Sequence, residues 1–184
     1  MNRAFTSYID RVLWRPIRYL FQTPARLLKG RVKPGMTVLD VGCGEGYYSL
    51  GMARLVGTGG RVIAVDTESE AVSALRIKAE EAGLAGRIDA RVCGDEDLGV
   101  RDTEGEVDFA LAVYVIHHAQ NPERLMSDVY KALKPGGRFL VIEPRHHASA
   151  TERESVMARA RSAGFALARH PRLIRDWAAD FVKA

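Results

Sequence analysis

Apolar and polar positions fall into blocks that switch between a strand-like and a helix-like period. Thr37–Val41, Arg61–Asp66 and Val107–Val113 are short, mostly apolar runs, the last carrying Phe109-Ala110-Leu111-Ala112-Val113, and Ile88–Cys93 is a further strand-like stretch. Such runs suit strands of a parallel sheet covered on both faces. Helical patterns alternate with them. Tyr47–Val56 is one, and a second opens at Thr67-Glu68-Ser69-Glu70 in capping-box form and stops at Gly83. A third starts at Asn121-Pro122, by side-chain cap and first-turn proline, and runs to Leu133. Lys134-Pro135-Gly136-Gly137 ends it, and Arg138–Glu143 reads as a fifth strand. Ser149-Ala150-Thr151-Glu152 repeats the capping-box form and begins a helix that stops near Gly164. Phe165–His170 and Ala178–Lys183 read as final strands.

This alternation predicts an α/β fold: a single-domain, Rossmann-like doubly wound sheet, mostly parallel with an antiparallel last strand, and helices on both faces. The domain covers 32–184. Residues 1–31 read as one or two amphipathic helices, with Tyr8, Leu13, Ile17, Leu20 and Phe21 at helical spacing and Pro16 and Pro24 as punctuation.

Composition narrows the class. With 47% apolar and 27% charged residues the chain is of ordinary globular type. No apolar stretch approaches the roughly 20 residues that span a bilayer, and the N-terminus lacks a signal-peptide pattern. Cys43 and Cys93 make neither a disulfide framework nor a metal pair, so no metal and a reducing cytoplasm are expected. The net charge of +4 is unevenly spread. Residues 1–33 hold eight basic and one acidic residue (+7), residues 34–144 eleven and eighteen (−7), and residues 145–184 eight and four (+4). An acidic body with basic ends argues against a chain-wide nucleic-acid stripe.

Candidate chemistry gathers where strands end. Asp40-Val41-Gly42-Cys43-Gly44-Glu45-Gly46 follows the first strand, and its alternate glycines allow a tight turn and close approach of a ligand. The spacing is not that of the dinucleotide fingerprint; an ordinary strand-to-helix connection is the plain alternative. Asp66, at the end of the second strand, can accept both hydroxyls of a ribose or simply cap the next helix. Cys93-Gly94-Asp95-Glu96-Asp97-Leu98 ends the third strand and is either an amine-binding site or a charged turn. Val113-Tyr114-Val115-Ile116-His117-His118 and Leu133–Pro144 complete the set.

Taken in order, these five motifs resemble the small-molecule branch of class I S-adenosylmethionine (SAM) dependent methyltransferases, the type 11/25-like domains. The resemblance covers residues 32–144 and extends to the last strands. It implies that Gly42, Gly44 and Gly46 line the methionine and ribose, with Asp40 orienting the loop and Cys43 a small filler. It also implies Asp66, with Thr67 beside it, on the ribose, and Asp95 on the adenine amine, flanked by Gly94 and Glu96. Val113 and Tyr114 would meet the methionine end, and His117, His118 or Glu143 would position the acceptor or take its proton. No N/D/S-P-P-Y or P-C follows the fourth strand, against methylation of amino nitrogens or cytosine carbon, and too few thiols are present for arsenite chemistry.

The expected activity is methyl transfer from SAM to a small or lipid-like acceptor, with S-adenosylhomocysteine (SAH) as product. The competing readings are a SAM-binding protein without turnover, acting through a partner, and an RNA methyltransferase. Lacking the usual lid insertion, the chain would cover its pocket with residues 1–31, which are also the candidate for peripheral membrane contact.

Overall fold

The computed structural model describes residues 23–94, 96–145, 149–173 and 176–184. Its twelve regular elements follow the alternation in the sequence. They are α1 (Pro24–Leu28), β1 (Thr37–Val41), α2 (Tyr47–Val56), β2 (Arg61–Asp66), α3 (Ser69–Glu81), β3 (Ile88–Val92), β4 (Val107–Val113), α4 (Pro122–Ala132), β5 (Leu133–Pro144), α5 (Ala150–Ser162), β6 (Phe165–Arg169) and β7 (Asp176–Lys183). Seven strands form one sheet in the order β3-β2-β1-β4-β5-β7-β6. The pairs β1–β2, β1–β4, β2–β3 and β4–β5 are parallel, whereas β7 is antiparallel to both of its neighbours.

Side chains that alternate along each strand feed two apolar layers. Leu39, Val41, Ile63, Ala110 and Phe139 face α4 and α5, where they meet Met126, Val129 and Val156. Val38, Val62, Phe109, Leu140 and Ile142 face the other side and meet Leu28, Met52, Val56 and Leu75. The chain winds outward from β1 through β2 to β3, then crosses back to β4 on the opposite flank. The order reverses between β1 and β4, and that is where ligands settle at the carboxyl ends of such sheets.

Several boundaries differ from expectation for identifiable reasons. The capping box at Thr67 does not form. Instead, Glu68 is the N-cap of α3, and its N–H donates to Asp66 Oδ1 at 3.0 Å. By contrast, Ser149 and Glu152 make both bonds of theirs. Helix α4 stops at Ala132, because Leu133 already pairs with Val107 before a register shift that resumes at Phe109↔Arg138. β3 ends at Val92, β6 ends at Arg169 and β7 starts at Asp176, opposite Pro144. Of the amphipathic N-terminal reading, only α1 falls inside the described residues. Its N-cap is Thr23, its first position is proline, and Leu27 and Leu28 are buried.

Candidate active site

The glycine loop is fixed to the end of β2. Gly42 and Cys43 both donate backbone N–H groups to Val65 O, at 2.9 and 3.0 Å. The Gly44 N–H donates to Asp66 Oδ2 at 2.7 Å. One Asp66 carboxylate oxygen thus holds the glycine loop and the other holds the Glu68 N–H just before α3, and each oxygen keeps a lone pair for a hydroxyl. Thr67 follows it on the exposed surface. The loop's Glu45 carboxylate pairs with Lys78 of α3 at 2.6 Å.

The three glycines are needed for different reasons. A Cβ at Gly42 would lie 2.4 Å from Val115 Cγ2, and one at Gly46 would lie 2.2 Å from Leu75 Cδ1. Protein side chains thus occupy the space where those two side chains would stand. Gly44 is the exception: with φ +52°, it has nothing within 4 Å of where a Cβ would stand. This open face, with the α2 N-terminus behind it and Asp66 beside it, is a cradle that a side chain would fill. It fits the ribose and methionine portions of SAM.

Beneath the loop, the buried Asp40 carboxylate accepts from Ser49 Oγ at 2.5 Å, tying the end of β1 to α2. Cys43 is buried as well. Burial first, and then the negative charges of Asp40 and Asp66, push its thiol above the ordinary range, so it is held as an inert thiol.

At the end of β3, the Cys93 N–H donates to Asp66 O at 2.9 Å, and the Gly94 N–H to Asp97 O at 3.1 Å. Asp95, expected on the adenine, lies outside the described residues. The Glu96 carboxylate accepts from Asn121 Nδ2 at 3.1 Å, at the cap of α4.

The fourth and fifth motifs meet on the same rim. Val113 ends β4 opposite Ile142. Tyr114 takes φ +61°, the one positive value at a non-glycine among the described residues. Its N–H donates to Ile142 O at 2.8 Å and its hydroxyl to Asp176 Oδ1 at 2.6 Å. The chain then makes a short 3₁₀ turn over Ile116–His118. The turn delivers the Ile116 N–H to Glu143 Oε1 at 2.9 Å and His117 Nδ1 to Glu143 Oε2. Glu143 is buried and His117 is 17% exposed. Of the two histidines, the structure pairs His117 with Glu143. His118 is exposed and lies against the first ring with centroids 3.9 Å apart.

Next to this pair is a cavity of about 300 Å³ between the 3₁₀ turn, α5 and the start of β7. Ile116, Val156 and Trp177 are among its apolar lining residues, and its polar groups come from His117, Glu143, Glu152, Arg153, Ser155 and Arg159. Local pattern carries no signal for Ser49, Val156, Asp176 or Trp177. Their partners lie on other elements, so only the tertiary fold makes them part of the site.

Residues 32–177 match the model of a methyltransferase domain family. The chain belongs to that family, in its class I SAM-dependent form. It is 33% identical over 128 residues to a ubiquinone biosynthesis O-methyltransferase of Xanthomonas axonopodis pv. citri, covering 69% of this chain and 51% of that protein. It is 29% identical to a ubiquinone/menaquinone biosynthesis C-methyltransferase of Hydrogenovibrio crunogenus, covering 69% of this chain and 49% of that one. The chain thus spans about half the length of the curated relatives it matches. A SAM-dependent methyltransferase from Aquifex aeolicus shares the fold with a TM-score of 0.81 at 22% identity, over 92% of this chain and 94% of that one. Among the described residues, no helix is long and apolar enough to cross a membrane and no cluster of side chains could hold a metal ion.

Proposed function

We propose that the chain transfers a methyl group from SAM to a small-molecule acceptor and releases SAH. The observation that carries this reading is the cradle at the strand-order reversal, where Gly44 opens beside Asp66, at the carboxyl ends of β1 and β2. When bound there, SAM supplies a methyl group already activated by its sulfonium. The protein's share is to bind, align and exclude water.

The residues divide that work. Asp66 accepts ribose hydroxyls while its bonds to Gly44 and Glu68 keep it from turning away. Asp40 and Ser49 hold the loop on α2. Gly94 and Asp95 take the adenine side, and Val113 and Tyr114 take the methionine end. His117 and Glu143 face the acceptor side of the rim. The quinone-biosynthesis names of two relatives, one an oxygen and one a carbon methyltransferase, support a small aromatic acceptor over nucleic acid. The two free cysteines support a reducing, cytoplasmic setting. Residues 1–31 are assigned to covering the pocket. In support, α1 seats Pro24 where a Cβ on Gly51 of α2 would lie 2.5 Å away, so the segment meets the helix that follows the glycine loop.

Calorimetry with SAH tests the binding half, with Asp66→Ala as control. Mass spectrometry with methyl-labelled SAM and a panel of phenols and quinols tests turnover. Tight SAH binding with no methylated product from any acceptor would favour a binding protein without turnover.

A further inference from the structure

The antiparallel edge of the sheet carries a cluster of charge that methyl transfer does not use. Asp180 of β7 is 2% exposed and stands opposite Leu140 of β5. It shares its side of the sheet with Ala178, which lines the layer under α1 and α2. Two arginines bind its carboxylate. Arg138 of β5 donates from Nε to Oδ1 at 3.1 Å and brings Nη2 to 2.8 Å from Oδ2. Arg169 of β6 donates from Nε to Oδ2 at 3.1 Å. The β6–β7 register shifts after Leu167, so that Arg169 and not Ala168 stands opposite Asp180. Bulges re-aim side chains in this way.

Arg31, in the turn after α1, completes the cluster. Its Nη1 donates to Leu27 O at 2.7 Å, and its Nε is buried without a hydrogen-bond partner. Burial lowers its pKa, Asp180 opposes that, and the charges of Arg169 and Arg138 add to it. The four groups are therefore close enough to act on one another. Three guanidinium groups around one carboxylate leave a net charge of +2.

Asp180 is already held on both oxygens by Arg138, so the second and third arginines exceed what one carboxylate needs. Arg169 is 59% exposed, and its two terminal nitrogens have no partner among the described residues. A buried unpaired donor and three like charges are both unfavourable. An anion bridging the arginines relieves both. A phosphate monoester carries up to two negative charges and acceptor oxygens that match the guanidinium fork.

We propose that Arg31, Arg138 and Arg169 form a binding site for a phosphate monoester, with Asp180 holding two of the guanidinium groups from beneath. The site is separate from the cofactor cradle. Arg31 precedes β1 and Arg138 opens the regular part of β5, whereas Gly44 and Asp66 lie at the carboxyl ends of β1 and β2. The bound phosphate joins the turn after α1 to β5 and β6.

The test is calorimetry of inorganic phosphate with the full chain, saturated with SAH so that the cradle is filled, at constant ionic strength. The expected result is one saturable site that equal concentrations of chloride do not fill. Arg169→Gln should weaken phosphate binding by about tenfold or more, and Arg31→Gln should do the same. Arg101→Gln, which removes the same charge from a 73% exposed side chain elsewhere, should leave it unchanged. No saturable phosphate binding overturns the site. So does a folded Arg169→Gln that binds as wild type, or an Arg101→Gln that weakens binding equally. Glycerol 3-phosphate and phosphatidylcholine vesicles carrying phosphatidic acid separate two sources of the group. Pelleting with the vesicles that is lost in Arg169→Gln assigns a lipid headgroup, and binding of glycerol 3-phosphate without pelleting assigns a soluble ester. The site does not depend on the methyltransferase reading: failure to bind SAH sinks that reading, and phosphate binding that needs Arg169 still supports this one.

Discussion

Replacing Gly42 by alanine tests how the cofactor loop is tied to the rest of the rim. Two costs add. Gly42 has φ +67°, where a Cβ costs about 1–2 kcal/mol. The new methyl would also stand 2.4 Å from Val115 Cγ2, against the roughly 3.5–4.0 Å of a normal carbon contact. Valine is stiff about its first side-chain torsion and cannot swing aside cheaply. Relief must come from the backbone of residues 114–116, and overpacking of this kind costs about 1–3 kcal/mol. Gly42→Ala should therefore lose about 2–5 kcal/mol in urea unfolding, a large share of a domain's typical 5–15 kcal/mol. Val115→Ala removes the two methyls in the way. Combined with Gly42→Ala, it should recover the overlap cost and leave only the backbone strain. The double-mutant cycle should then show a favourable coupling of about 1–3 kcal/mol. If the two changes add to within about 0.5 kcal/mol, the loop is not braced by Val115 and the reasoning fails.

Four further outcomes follow from the same geometry. Asp66→Ala should weaken SAH binding by on the order of 1.5–3 kcal/mol, read by calorimetry; unchanged affinity would remove Asp66 from the ribose. Cys43→Ala should bind SAH normally, and the wild-type thiol should resist iodoacetamide at neutral pH because burial holds it protonated; rapid alkylation in the folded state would contradict this. The Asp102 carboxyl is held below its usual range by the Arg91 guanidinium, so its stabilising effect is present at neutral pH and fades as pH falls through the folded value. Because Asp102 is largely exposed, Asp102→Asn should cost under about 1 kcal/mol at pH 7 and less at pH 3, and an equal cost at both would refute the pairing. Deleting residues 1–22 should leave a folded body by circular dichroism with weakened SAH affinity, and full affinity would rule out a covering role.

What could be read from the sequence was what local pattern controls. The strands β1, β2 and β4, the glycine turn and the Ser149 capping box each follow from neighbours within a few positions. Choices between adjacent or competing groups were not readable. The Thr67-x-x-Glu70 pattern looks like a cap, yet α3 starts one residue later, with Glu68 at its N-cap and the Glu68 N–H on Asp66 Oδ1. His117 and His118 are equivalent in sequence, and only the 3₁₀ turn decides which ring meets Glu143, 26 residues further on. Likewise, the glycine spacing does not show why Gly42 and Gly46 admit no side chain. Val115 and Leu75, from distant elements, fill the space where their Cβ atoms would stand.

The reversed direction of β7 has a consequence for the order in which the protein comes into being. Because that strand runs opposite to its neighbours, its first residues, Asp176 and Trp177, arrive opposite Pro144 and Glu143. As the chain leaves the ribosome, the glycine loop, Asp66 and β4 emerge early and can close the cofactor cradle among themselves. The tyrosine anchor and the tryptophan wall must wait until the last strand slides between β5 and β6. The eight-residue strand Asp176–Lys183 is therefore the last piece that the acceptor side of the rim needs, after every residue of the cofactor side has already been made.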